Sequence, residues 1–246
     1  MKSLTSPTPQ PGAPAGVFAT THWSVVVRAG DSRSPDAGFA LERLCRTYWY
    51  PLYAFVRRKG RSHEDACDLT QAFFSVFLEK KYLRSVNSDL GKFRTFLLTS
   101  LTHFMSNEDD KSRAQRRGGG RAALSLDEAG AEARYEIDTA HHETPERVFE
   151  RRWVQAVMSL VLNRLAAETG EQKFEVLKGF MLGDKREVSY DDAAERLRMS
   201  VPAVTSVIHR LRKRFRVLLC EEIASTVGSP GEVKSEIRYL LSVLSD

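Results

Sequence analysis

The chain has 246 residues, 42% apolar and 28% charged, with a net charge of +5, so it can bury one or two modest cores and is not disordered throughout. Its three cysteines, Cys45, Cys67 and Cys220, are far apart and form no CxxC pair, which argues against a disulfide framework and for a reduced, cytoplasmic setting. Residues 1–16 lack the apolar core of a signal peptide and nowhere do eighteen apolar residues run together, so neither export nor a membrane span is expected.

In chain order, residues 1–20 read as a disordered start, and Trp23 to Ala29 as a short helix. Phe39, Leu44, Tyr48, Leu52 and Phe55 keep helical spacing, with Pro51 predicting a kink or two abutting helices. Arg57, Arg58, Lys59 and Arg61 close this segment. Ser62 with Asp65 three residues on predicts the next helix start, after which Leu69, Phe73, Val76 and Phe77 form an apolar face with Asp68 and Gln71 off it. Beyond the loop YLRSVNSDLGK, a third helix is marked by Phe93, Phe96, Leu97, Leu101, Phe104 and Met105, and it ends in Lys111, Arg113, Arg116 and Arg117.

The texture then changes. Gly118, Gly119 and Gly120 cannot hold a helix cheaply, and 121–144 has weak periodicity, so 118–144 reads as a flexible linker. Thr144, Pro145 and Glu146 announce a helix with an apolar line through Phe149, Trp153, Val157, Leu160 and Leu165. A shorter helix from Glu171 to Leu182 ends at Gly183. In SYDDAAERLRMSVPAVTSVIHRLRKRF, residues 189–215, Ser189 caps one helix with Asp192 three on, and Ala193, Ala194 and Leu197 give its apolar face. Ser200 offers a second cap, and Pro202 falls in the first turn of the helix that follows. There Val204, Ile208, Leu211, Phe215 and Leu218 share a buried stripe, while Ser206, His209, Arg210, Lys213 and Arg216 share the opposite face. Residues 200–220 hold Arg210, Arg212, Lys213, Arg214 and Arg216 with no acid among them. A solvated face would mix Glu with Lys, so this pair of helices reads as a helix-turn-helix whose outer face suits phosphate. With no strand-like alternation, the fold class is all-α: two small helical domains, 21–117 and 145–222, joined by the linker, plus an extension at 223–246. Two basic modules on one tether suggest a single ligand touched at two places.

Three stretches, YPLYAFVRRKGRSHEDACDLTQAFFSVFL, GKFRTFLLTSL and VSYDDAAERLRMSVPAVTSVIHRLRKRFRVLL, together make the chain resemble the extracytoplasmic-function group of sigma-70 family sigma factors. The resemblance covers most of 39–117 and 146–222, in family order. It implies a transcription initiation factor, not an enzyme, that binds core RNA polymerase, recognises the −35 and −10 elements of promoter DNA and assists melting. Asp68, Gln71 and Phe74 would meet the clamp helices of the largest catalytic subunit. The loop from Leu83 to Lys92 would hold a flipped base, with Asn87, Ser88 and Asp89 reading its edge, since stacking and edge hydrogen bonds repay unstacking. Lys92 and Arg94 would grip phosphates of the opened strand, with Thr95 and His103 farther along the same helix. The −35 contacts would fall to Pro202, Thr205, Ser206, His209, Arg210, Lys213 and Arg216. Two departures from the family stand out: Glu108, Asp109 and Asp110 where relatives often carry bases, and Thr205 and Val207 on the recognition helix.

A flexible 118–144 would reach roughly 30 Å, near the ~34 Å of one duplex turn, so both modules would engage one promoter. No cofactor or metal is expected: His63 with Cys67, and His141, His142 with Glu143, lack a second ligand pair, and HExxH and GxxxxGK[ST] are absent. The rival reading is a transcription regulator whose N-terminal helices sense a ligand or dimerise and in which only 189–216 binds DNA. In the extension, Val233, Ile237, Leu240, Leu241 and Leu244 predict an amphipathic helix that either covers apolar surface or has a regulatory or partner-binding role; for the chain as a whole, the resemblance allows an anti-sigma protein as a further partner.

Overall fold

The computed structural model describes residues 35–78, 91–114, 130–138, 143–182 and 189–245. Among these the chain is all helical, without strands: α1 (Pro35–Arg58), α2 (His63–Leu78), α3 (Phe93–Ala114), α4 (Ala131–Asp138), α5 (Pro145–Thr169), α6 (Glu171–Leu182), α7 (Tyr190–Leu197), α8 (Val201–Ala224), a 3-10 turn at Pro230–Glu232, and α9 (Val233–Ser245). The start at 1–20, the helix expected at 23–29 and the glycines at 118–120 lie outside the described residues. No described helix is long and apolar enough to cross a membrane.

Local signals explain most boundaries. The Asp65 N–H donates to Ser62 Oγ at 3.1 Å where α2 begins, and the Arg147 N–H donates to Thr144 Oγ1 at 3.2 Å ahead of Pro145 in the first turn of α5. Of the two outcomes expected at Pro51, α1 excludes two abutting helices: it runs through the proline as one helix. Proline there removes one helix hydrogen bond, and burial of Tyr48, Trp49, Leu52, Tyr53 and Phe55 around it outweighs that loss.

α5 organises the molecule. It buries Phe149, Trp153, Val154, Val157, Val161 and Leu165 along one broad face and Val148, Arg152 and Ala166 beyond it, as suits an element with neighbours on several sides. Those neighbours are α1, α6, α8 and α9, the α1 contact being the most extensive in the structure. Tyr48 stacks on Trp153 with ring centroids 6.4 Å apart and meets Phe93 edge-on at 5.5 Å, contacts that add about 0.5–1.5 kcal/mol each beyond their buried area. One continuous apolar core therefore draws side chains from both halves of the chain. The two expected modules thus meet directly as well as through the tether, the aromatic faces of α1 and α5 burying one another.

Part of the expected linker is also ordered structure. α4 sits on α1, with Ala131 buried, Glu132 accepting from Tyr53 Oη at 2.5 Å and from Arg57 Nε at 3.0 Å, and the Arg57 guanidinium 4.9 Å from the centre of the Tyr135 ring. Its attachment rests on partners 75 to 79 positions earlier, so the weak local periodicity gave no sign of it.

Candidate nucleic-acid interface

The α7–α8 pair is built by its caps. Ser189 and Asp192 form a reciprocal capping box, the Asp192 N–H donating to Ser189 Oγ at 3.0 Å and the Ser189 N–H to Asp192 Oδ2 at 3.3 Å. α7 stops at Leu197, where Arg198 takes a left-handed conformation, φ 52° and ψ 49°, and the Met199 N–H reaches back to Ala194 O at 2.9 Å. This closure leaves only Arg198, Met199 and Ser200 between the helices. Ala193 and Ala194 of α7 and Val204, Val207, Ile208 and Leu211 of α8 are buried, and Phe180 of α6 packs on Tyr190 at 4.8 Å. Val207, set against basic residues in the resemblance, is thus a core residue.

The outer face of α8 carries Pro202, Thr205, Ser206, His209, Arg210, Lys213 and Arg216, all exposed. Their spacing of three and four holds them on one side of the helix over roughly 21 Å. Thr205 Oγ1 donates to Val201 O at 3.1 Å. Among the described residues no carboxylate pairs with Arg210, Lys213 or Arg216. The five bases of this helix are not all unopposed, however. Arg212 donates to Phe180 O at 2.5 Å, and Arg214 makes two bonds to Glu168 of α5 at 2.7 and 2.8 Å. The bond from Arg214 holds the Glu168 carboxyl below its usual range. Two bases thus tie α8 to its neighbours, and three stay available for an anion.

The first half matches expectation less closely. Asp68 is exposed on α2, but Gln71 is 3% and Phe74 2% exposed, so the structure removes those two from an outward face; they belong to the side of α2 that meets the core. Asn87, Ser88 and Asp89 lie outside the described residues. Lys92 is half-buried and Arg94 buried, both paired with Glu236 of α9, so the two cations expected to grip phosphates already hold a carboxylate. Burial pulls the Arg94 guanidinium below its usual pKa against the opposing effect of Glu150, Tyr48 and Tyr239. It also lowers Lys92, helped by neighbouring Arg94 and opposed by Glu232 and Glu150. Thr95 and His103 are exposed, and Thr99, Thr102 and Ser106 share their side of α3. The i, i+4 spacing from Thr95 through Thr99 to His103 carries that signal in the sequence.

The basic run ending α1 is also occupied. Arg57 pairs with Glu132, Arg58 Nε donates to Glu143 O at 2.7 Å, Lys59 lies 3.4 Å from Glu146, and Arg61 binds Asp109 at 2.5 and 2.6 Å. Asp109 is therefore a structural partner, and Glu108 pairs with Lys111 at 2.8 Å. His63 Nδ1 lies 2.8 Å from Tyr53 Oη and 3.8 Å from Cys67 Sγ. Among the described residues no group of His, Cys, Asp and Glu could hold a metal ion; His141 and His142 fall outside them. All three cysteines are free, Cys45 and Cys67 buried and Cys220 exposed, and burial pushes the Cys45 thiol up to about 11. Comparison with family models, curated proteins and solved structures finds no match to this chain.

Proposed function

We propose that the chain is a sigma-type transcription initiation factor that joins core RNA polymerase and recognises promoter DNA through two helical units. The observation that carries this reading is the face of α8: after a three-residue turn, Pro202, Thr205, Ser206, His209, Arg210, Lys213 and Arg216 lie along one exposed side, with Arg212 and Arg214 used to fasten the helix from behind. In a helix-turn-helix the second helix enters the major groove, and its bases neutralise phosphates while its polar side chains meet base edges. The −35 element is the target of this face. The exposed threonines and His103 of α3, with the residues before Phe93, serve the −10 element, and Asp68 of α2 serves polymerase. The chain acts as a binding and positioning factor, not as an enzyme, and needs no cofactor.

The buried Gln71 and Arg94 and the shared α1–α5 core favour a second reading, a DNA-binding regulator in which α8 alone touches DNA. One experiment separates them. Added to bacterial core polymerase with a library of promoter fragments, the chain yields transcripts from specific start sites under the first reading. Silence there, together with retained duplex binding through α8, supports the second.

A further inference from the structure

The extension after α8 makes a specific attachment that covering apolar surface does not require. Glu236 of α9 is buried, its side chain 0% exposed, while Lys234 and Arg238 beside it are exposed. Its carboxylate bridges two cations at the start of α3: Oε2 lies 2.7 Å from Lys92 Nζ, and Oε1 pairs with Arg94 Nη1. Tyr239, one turn on, presents its ring to both, 5.1 Å from Lys92 Nζ and 5.1 Å from the Arg94 guanidinium, which also lies 4.8 Å from the Trp153 ring. The Phe93 N–H, at the first turn of α3, donates to Thr226 O at 3.1 Å. Residues 226–239 thus hold three consecutive residues, Lys92, Phe93 and Arg94, by charge, ring face and backbone.

A carboxylate bridging a lysine and an arginine offers the geometry that a phosphate of a nucleic-acid strand would offer the same pair. The two anions cannot occupy the cations together. Beyond that, Leu240 and Val243 are the fully buried apolar side chains of α9, Val233, Ile237 and Tyr239 pack part-buried on the core, and Leu241 and Leu244 are 52% and 43% exposed. Gly228, Ser229, Pro230 and Gly231 form an exposed joint before it, and a helix of this length is marginal once undocked.

We propose that the C-terminal extension is an intramolecular clasp in which Glu236 stands in for a nucleic-acid phosphate on Lys92 and Arg94, so that a strand reaches the start of α3 only by displacing α9. This rests on the reading of α3 as a strand-binding element, and not on how α8 binds duplex. Apparent strand affinity is the intrinsic affinity reduced by the small fraction of molecules with the clasp open.

The test uses the full chain and a short fluorescein-labelled single strand followed by anisotropy. Glu236→Gln keeps the shape and removes the charge. It is expected to bind at least about tenfold tighter than the unchanged chain, with a salt dependence steeper by about one to two phosphate contacts. Equal affinity and slope, including no binding by either, overturns the proposal. Hydrogen exchange on the unchanged chain gives a second arm that does not depend on how the variant folds. With saturating strand, α9 and the Phe93 amide lose protection while α1 and α5 keep theirs. Retained protection of α9 overturns the clasp. Duplex binding by Arg210→Ala/Lys213→Ala reports on α8 separately, so failure of that interface is distinguishable from failure of the clasp.

Discussion

Arg198 ends α7 with a backbone conformation that side-chain-bearing residues rarely adopt. A left-handed residue with a Cβ costs roughly 1–2 kcal/mol, and glycine would relieve that while losing ~0.4–1 kcal/mol through the freer unfolded chain. Arg198→Gly is therefore expected to stabilise the protein by about 0.5–1 kcal/mol, read as a higher urea midpoint at unchanged slope. Arg198→Val, β-branched at the same φ, is expected to lower it. At this scale the sequence was legible where chemistry was local. Ser62, Thr144 and Ser189 were readable as caps because each partner lies three residues away. Gln71 was not: a glutamine reads as outward-facing, and only the packing of α2 against its neighbours decides otherwise.

Among the helices, α8 divides its bases by task, and the division predicts behaviour. Arg210→Ala and Lys213→Ala are each expected to weaken duplex binding and reduce the slope of log affinity against log salt by about 1. Arg214→Ala, whose side chain is spent on Glu168 and Glu221, leaves that slope unchanged and lowers stability slightly. A slope loss in Arg214→Ala equal to that of Arg210→Ala would contradict the division. The docking of α4 responds to acid. Burial alone would raise the Glu132 carboxyl, but hydrogen bonds from Tyr53 and Arg57 and the charges of Arg57 and His63 prevail and hold it below the ordinary 4.5. A depressed folded value means that the contribution is full above the unfolded value and lost as pH falls through the folded one. Urea midpoints measured from about pH 5 down to 3 should fall more steeply for the unchanged chain than for Glu132→Gln. The apolar line of α9 shows how far periodicity carries. The helix was legible, but Leu241 and Leu244 are exposed and Glu236 and Val243 are buried instead. The charges that rotate it, Lys92 and Arg94, are some 140 residues away, Glu236 standing 142 positions from Arg94.

For the whole molecule, the shared core predicts joint unfolding. Heating should give one transition, coincident by far-ultraviolet circular dichroism and by tryptophan fluorescence, because α1 and α5 are each other's principal neighbours. Trp153→Ala is expected to cost about 3–5 kcal/mol, a large share of a typical domain's stability, and to destabilise residues of both halves alike. Two separate transitions in the unchanged chain would mean that the halves are independent. The all-helical class and nearly every described helix were readable from apolar spacing. The partnership of α1 with α5 was not, since both stripes would look the same facing separate cores.

That partnership also shapes how the chain is made. Tyr48 leaves the ribosome about 105 residues before the Trp153 on which it stacks, an interval of roughly 5–20 s at ~5–20 residues per second. Throughout it, the side of α1 that meets α5 lacks its principal cover. The nascent chain is then a natural client for chaperones that shield apolar surface, and translation arrested before α5 emerges would leave a product prone to aggregate.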